Sequence, residues 1–188
     1  MDVAVDATEL ATEKFAIGQP VSRKEDPTLL RGEGRYTDDI NLPNQLHAVI
    51  VRSRVAHGVI RGIDIEAART MPGVLGIYTG AELRRAGFGN MPSGILIKNR
   101  DGTPMHRPPQ PPITIDKVRY VGDPIACVVA DTVQQAKDAA ETVLADIEPL
   151  PAVLTAREAA APGAPLVHDE VAGNLVVDFH HGDAERVG

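Results

Sequence analysis

The chain has 188 residues, with 19 Lys and Arg against 26 Asp and Glu for a formal net charge of −7, and aromatic residues make up only 3%. That length suits one domain with a core of its own, and an acidic chain poor in rings lacks the clustered base and stacking surface that nucleic-acid binding requires. No apolar run approaches the roughly 18 residues of a membrane-spanning helix, the opening Met1-Asp2-Val3-Ala4-Val5-Asp6 carries acid where a secretory leader carries base, and the single Cys127 excludes an internal disulfide or a Cys-cluster metal site. The expectation is a cytoplasmic protein with neither nucleic-acid nor membrane partners.

Residues 1–16 show no period and are expected to form a flexible tail. From Arg23 to Asp39 the chain is dense in Gly and charge and carries Pro27, which predicts ordered loop. Leu46 to Arg52 is rich in β-branched types and predicts a buried strand. A helix should follow from an Asp64 cap through Ala67-Ala68-Arg69 to Pro72-Gly73, then a strand over Val74–Tyr78. Thr79-Gly80-Ala81-Glu82 has the form of a capping box, in which Thr takes the third helical amide and Glu the amide of Thr itself. Residues 88–117 dissolve into Gly and Pro and read as an insertion or interface loop.

Order resumes at Val118, and Ile125–Ala130 predicts a second buried strand. Thr132-Val133-Gln134-Gln135 opens the longest helix, whose apolar face runs through Val133, Ala136, Ala140, Val143 and Ile147. A short strand near Ala152-Val153-Leu154 and a third box, Thr155-Ala156-Arg157-Glu158, complete the pattern. The same order of strand, Ala-rich helix, strand and Thr-x-x-Glu occurs at 46–85 and 120–161, which predicts two β-α-β-like units with mixed sheets packed against helices, an α+β fold.

Candidate chemistry is sparse. Gly32-Glu33-Gly34-Arg35-Tyr36-Thr37 begins like a dinucleotide fingerprint, but Thr37 replaces the third Gly and no strand precedes it. Asp38-Asp39 and His180-His181 are sequence neighbours, and neighbours in an extended chain point to opposite faces, which disfavours a shared metal. Ser53 and His57 lack the nucleophile elbow of a hydrolase, and Cys127 lies within an apolar strand and reads as core.

The segments Arg23-Lys24-Glu25-Asp26-Pro27, Leu30-Arg31-Gly32-Glu33-Gly34-Arg35-Tyr36-Thr37-Asp38-Asp39, Val51-Arg52-Ser53, Ala56-His57, Met71-Pro72-Gly73-Val74, Tyr120-Val121-Gly122-Asp123-Pro124 and Glu148-Pro149-Leu150-Pro151 resemble, in order, the opening of the molybdenum hydroxylase large subunit. That family includes xanthine dehydrogenase, aldehyde oxidase and the carbon monoxide dehydrogenase large chain. The resemblance implies an α/β hammerhead domain over residues 17–183, with 184–188 starting a linker to a molybdopterin-binding region. It places the catalytic glutamate and the cofactor-holding residues in that later region, so no catalytic, cofactor-binding or metal-binding residue carries over to this chain. The chain departs from the family in having Arg54-Val55 before the Ala-His pair and Gly58 after it.

For the complete enzyme the resemblance implies molybdenum–molybdopterin, [2Fe–2S] clusters and FAD, with an iron–sulfur subunit and an FAD subunit as partners. For this chain it implies a scaffold and docking role without activity of its own; a free-standing assembly module of the same fold is the alternative. Candidate interface residues are Arg35, Tyr36, Asp38, Asp39, Arg52 and Arg54, since Arg and Tyr make good interface anchors. The same residues could instead tie the domain's own loops together.

Overall fold

The computed structural model describes residues 22–182 and Arg186. The expected tail, and the expected linker apart from Arg186, lie outside the described residues. The chain divides into two compact units at Gln45/Leu46. In the first, Pro27 opens a short helix, α1 (Asp26–Leu30), and the Arg23 amide donates to the Asp26 carboxylate at 2.9 Å. A single 3-10 turn, Thr37–Asp39, is held by the Asp39 carboxylate, which accepts the Tyr36 amide at 2.9 Å.

The second unit holds the sheets. In chain order it contains β1 (His47–Arg52), β2 (Gly58–Asp64), α2 (Glu66–Arg69), β3 (Val74–Thr79), α3 (Gly80–Arg85), β4 (Lys117–Val118), β5 (Pro124–Ala130), α4 (Val133–Thr142), β6 (Leu144–Pro149) and α5 (Ala156–Ala159). Two three-stranded sheets form, ordered β1-β5-β3 and β4-β2-β6, and every pairing is antiparallel.

The three Thr caps act as read, whereas Asp64 is not the cap expected of it: Ile65 holds the N-cap position of α2 without a side-chain bond, and Asp64, the last residue of β2, accepts the Glu66 amide at 3.0 Å. Thr79 Oγ1 accepts the Glu82 amide at 3.4 Å while Glu82 accepts the Thr79 amide at 2.8 Å, and Thr155 and Glu158 repeat the exchange with both bonds at 3.2 Å. Thr132 caps Gln135 at 3.2 Å, although Gln135 turns to the Thr132 hydroxyl instead of its amide. Along α4 the buried residues are Ala136 and Ala139, whose small side chains let the helix lie close to the first sheet. There Ala126 and Val128 of β5, Ile77 of β3, Ala68 of α2, Ile65 and Val143 form the core, with Val51, Met71 and Val74 packed at its margin.

Further expectations need correction. The sheets are antiparallel, not mixed, because each crossover leads from one sheet to the other: β2-α2-β3 and β5-α4-β6 place one strand in each, so that β3 pairs with β5 and β2 with β6. The repeat therefore runs over residues 58–79 and 124–149, and β2, which was not expected, belongs to it while β1 stands outside. Helix α4 stops at Thr142, so Ile147 lies on β6 opposite Ile60 and the strand expected near Ala152–Leu154 occurs at 144–149 instead. Cys127 lies outside the core cluster: alternation along β5 sends Ala126 and Val128 to the helices and Cys127 to the opposite face, half-buried between Ile50 and Tyr78.

The Gly/Pro insertion is ordered without regular structure beyond one bridge, Lys98 to Pro104. Its Arg100 and His106 amides donate to Asp178 and Val176 carbonyls at 3.0 and 2.9 Å, and Arg100 pairs with Asp178 at 3.1 Å.

Candidate docking site

Two of the sequence motifs that carry the family resemblance, Val51-Arg52-Ser53 and Tyr120-Val121-Gly122-Asp123-Pro124, meet where β1 runs out and β5 begins. Ser53 is buried, and its backbone exchanges two bonds with the Gly122-Asp123 turn: the Ser53 amide donates to the Asp123 carbonyl at 2.9 Å and the Gly122 amide to the Ser53 carbonyl at 2.8 Å. Gly122 has φ +96°, a left-handed conformation that glycine adopts without strain. The Ser53 hydroxyl donates to the Val55 carbonyl at 2.8 Å and accepts the Val55 amide at 3.0 Å. Asp123, 7% exposed, accepts the Thr114 hydroxyl at 2.6 Å and the Arg119 amide at 2.9 Å. A buried carboxylate is tolerable when its lone pairs are filled in this way. Thr114 was not singled out in the sequence, and nothing local marks it.

His57 is buried on the loop between β1 and β2. Its Nδ1 donates to the Pro151 carbonyl at 2.8 Å, and its own carbonyl accepts the Leu150 amide at 2.8 Å, which ties the Ala-His motif to the Pro-Leu-Pro motif after β6. Ser53 is committed to Val55, so no nucleophile and base pair forms between them. His168 is half-buried, and its buried Nδ1 has no hydrogen-bond partner among the described residues. Burial, reinforced by the nearby Arg119 guanidinium, holds its pKa below the usual histidine value. Next to it, Asp169 accepts Lys117 Nζ at 2.8 Å, and that bond lowers the pKa of the Asp169 carboxyl.

The candidate interface residues fall into sets within separate units. In the first unit Arg35 and the exposed Tyr36 line a groove of about 610 Å³ with Arg23, Glu25 and Leu29, while Asp38 and Asp39 sit in the adjoining 3-10 turn. Asp39 accepts the Tyr36 amide, so part of its capacity serves its own loop. In the second unit Arg52 and Arg54 line one groove of about 530 Å³ along β1. The Arg52 guanidinium spends one donor on the Gly122 carbonyl at 2.8 Å, whereas Arg54 is exposed. Lys137, Glu141 and Leu144 complete that groove. Sequence reasoning did not reach them, and the available signal was a Lys and a Glu four apart on the outer face of α4 followed by an exposed Leu.

No three His, Cys, Asp or Glu side chains stand together as a metal-ligand set among the described residues. The lone Cys127 has its thiol pushed up by burial.

Comparison with known proteins places this arrangement. Residues 31–151 match the family described as aldehyde oxidase and xanthine dehydrogenase, a/b hammerhead domain. The chain belongs to that family. Among relatives, it is 38% identical over 159 residues to the nicotine 6-hydroxylase large subunit of Paenarthrobacter nicotinovorans, covering 85% of this chain and 19% of that protein. It is 33% identical over 145 residues to the xanthine dehydrogenase molybdenum-binding subunit of Escherichia coli O157:H7, covering 77% and 18%. The structure resembles quinoline 2-oxidoreductase from Pseudomonas putida 86, with a TM-score of 0.69, 36% identity, and coverage of 83% of this chain and 19% of that one. The chain thus spans about a fifth of these proteins, and the hammerhead fold read from the sequence is the fold observed.

Proposed function

We propose that this chain is the N-terminal scaffold and docking domain of a molybdenum-dependent hydroxylase large subunit, and that it takes no chemical step itself. The observation that carries this reading is the use made of the family motifs: Ser53, Gly122 and Asp123 spend their polar groups on the chain's own backbone and on Thr114, and His57 Nδ1 does the same, while His57 Nε2 is buried without a partner among the described residues. Such a network fixes loops in place, which supports a structural role for these motifs.

In this reading residues 17–183 form the domain, 1–16 a tail and 184–188 the start of a linker to a molybdopterin-binding region. The complete enzyme, in the cytoplasm, would hydroxylate a substrate of the aldehyde, N-heterocycle or carbon monoxide type. Molybdenum–molybdopterin would supply the oxidation there, with [2Fe–2S] clusters and FAD removing the electrons. The residues of this chain do not fit as holders of an iron–sulfur cluster, since one half-buried cysteine cannot ligate one and the described residues contain no assembled set of His, Cys, Asp or Glu donors. Its contribution would be surface for the iron–sulfur and FAD subunits, with Arg35, Tyr36, Asp38, Asp39, Arg52 and Arg54 as docking residues.

The test is to produce the chain in a molybdenum-replete host. Metal and flavin content, and dye reduction with an aldehyde, an N-heterocycle and carbon monoxide, are then measured, followed by size-exclusion chromatography with the iron–sulfur and FAD subunits. The expected result is no bound metal or flavin, no dye reduction, and co-elution with at least one subunit. Turnover by the chain alone, or separate elution from both subunits, would overturn the proposal.

A further inference from the structure

Strand β1 is the outer strand of one sheet and β6 the outer strand of the other. Among the described residues no backbone group pairs with the second edge of either. The 530 Å³ groove runs between them. Four consecutive residues of β1, Val49 to Arg52, line it, and so do the consecutive Leu144 and Ala145 of β6. Successive side chains of a strand point to opposite faces, so a run of neighbours can line one groove only along the strand's edge. On the β1 side the groove therefore follows the strand's outer edge, whose backbone donors and acceptors have no partner among the described residues. Leu144 is 66% exposed and Ile50 37% exposed at its rim.

Its charge is opposite to that of the molecule. Arg52, Arg54 and Lys137 line it against the single Glu141, a surplus of two positive charges on a chain of net −7. Neither Arg54 nor Lys137 takes part in any of the ion pairs among the described residues. Charge on a strand edge repels a second edge of like charge, but the charges on this edge are of one sign and stand beside the apolar Val49 to Val51, so the edge remains a template for a strand that brings the opposite charge.

We propose that this groove binds one extended segment of a partner chain, alternating apolar and acidic residues, which adds as a strand along β1 and sets its carboxylates against Arg54 and Lys137. The inference rests on the docking role proposed above and names the surface and the chemistry of what docks.

The test uses the 188-residue chain with two synthetic heptapeptides: a Val/Glu alternation ended by Thr, and its Val/Lys counterpart. Binding is measured by fluorescence anisotropy and mapped by amide chemical shifts. The Val/Glu peptide is expected to move the amides of residues 49–55 and 143–147, and N-methylation of its alternate amides should abolish binding, since a strand then loses its ladder donors. The double variant Arg54→Glu with Lys137→Glu, at two exposed positions with no ion pair among the described residues, should bind the Val/Glu peptide about tenfold more weakly and gain affinity for the Val/Lys peptide. No binding, equal binding of both peptides, or shifts elsewhere on the molecule would overturn the proposal. Mapped shifts combined with separate elution from both subunits would instead retain the groove and remove the docking role.

Discussion

Removing the Asp123 carboxylate tests whether the family motif at residues 120–124 is structural. The carboxylate is buried and accepts two bonds, from the Thr114 hydroxyl at 2.6 Å and the Arg119 amide at 2.9 Å. Hydrogen bonds to a charged group contribute about 1.5–3 kcal/mol each, so losing two in Asp123→Ala should destabilise the fold by about 3–6 kcal/mol. Asp123→Asn can keep an acceptor for Arg119 and donate its amide to Thr114 Oγ1, and should lose only about 1–2 kcal/mol. Thr114→Val deletes one of the two bonds with little change of volume. In a double-mutant cycle with Asp123→Ala the coupling should be about 1–2 kcal/mol, because the two changes remove the same bond. Urea unfolding followed by circular dichroism gives all four corners, with unchanged denaturant slopes showing that only stability moved. A loss under about 0.5 kcal/mol for Asp123→Ala would refute the reasoning, being the size of an ordinary surface change. Zero coupling would refute the bond to Thr114.

Other outcomes follow from single contacts. A Cβ on Gly80 would lie 2.5 Å from the Thr114 carbonyl oxygen and 2.6 Å from that of Ile113, both backbone atoms. Gly80→Ala is therefore expected to cost about 1–3 kcal/mol in urea unfolding, and a neutral result would show that the start of α3 can shift. Thr79→Ala removes a cap with both reciprocal bonds formed and should cost about 1 kcal/mol in the same assay. His168 has a folded pKa below its ordinary value, so the unfolded chain takes up the proton first as the pH falls. Stability is then fully present above about pH 6.5 and declines below it until the folded pKa is reached, and His168→Asn should flatten that slope in melts at a series of pH values. The Cys127 thiol, pushed up by burial, is expected to react with a thiol reagent at pH 8 more slowly than free cysteine, and equal rates would contradict its placement.

What the sequence revealed was mainly local. Thr79, Thr132 and Thr155 each lie three residues before the partner whose amide they take, so the capping exchanges were legible from spacing alone. Strand β1 was legible as a strand because His47-Ala48-Val49-Ile50-Val51-Arg52 combines β-branched residues with turn formers at its ends, but the burial expected of it was not found: it is an outer strand whose residues alternate between half-buried and exposed. Strand β2 was not legible: Gly58, Arg61 and Gly62 interrupt its apolar pattern, and its extended form depends on pairing with Lys117–Val118 and with Leu144–Pro149, far along the chain. The same non-local pairing decided the antiparallel sense of both sheets and drew Ile147 out of the helical pattern into β6. Arg52 and Arg54 stood out as charges after a strand, but the groove they line also needs Lys137, Glu141 and Leu144, which only the crossover from α4 to β6 brings beside β1.

The central claim is that this domain serves a molybdenum hydroxylase large subunit whose chemistry is performed elsewhere in the polypeptide. Reading the source DNA beyond the codon for Gly188 tests it most directly. The expected result is an open frame continuing into a long molybdopterin-binding region, several times the length of this chain. A stop codon directly after Gly188 would contradict the claim and favour a free-standing assembly module of the same fold.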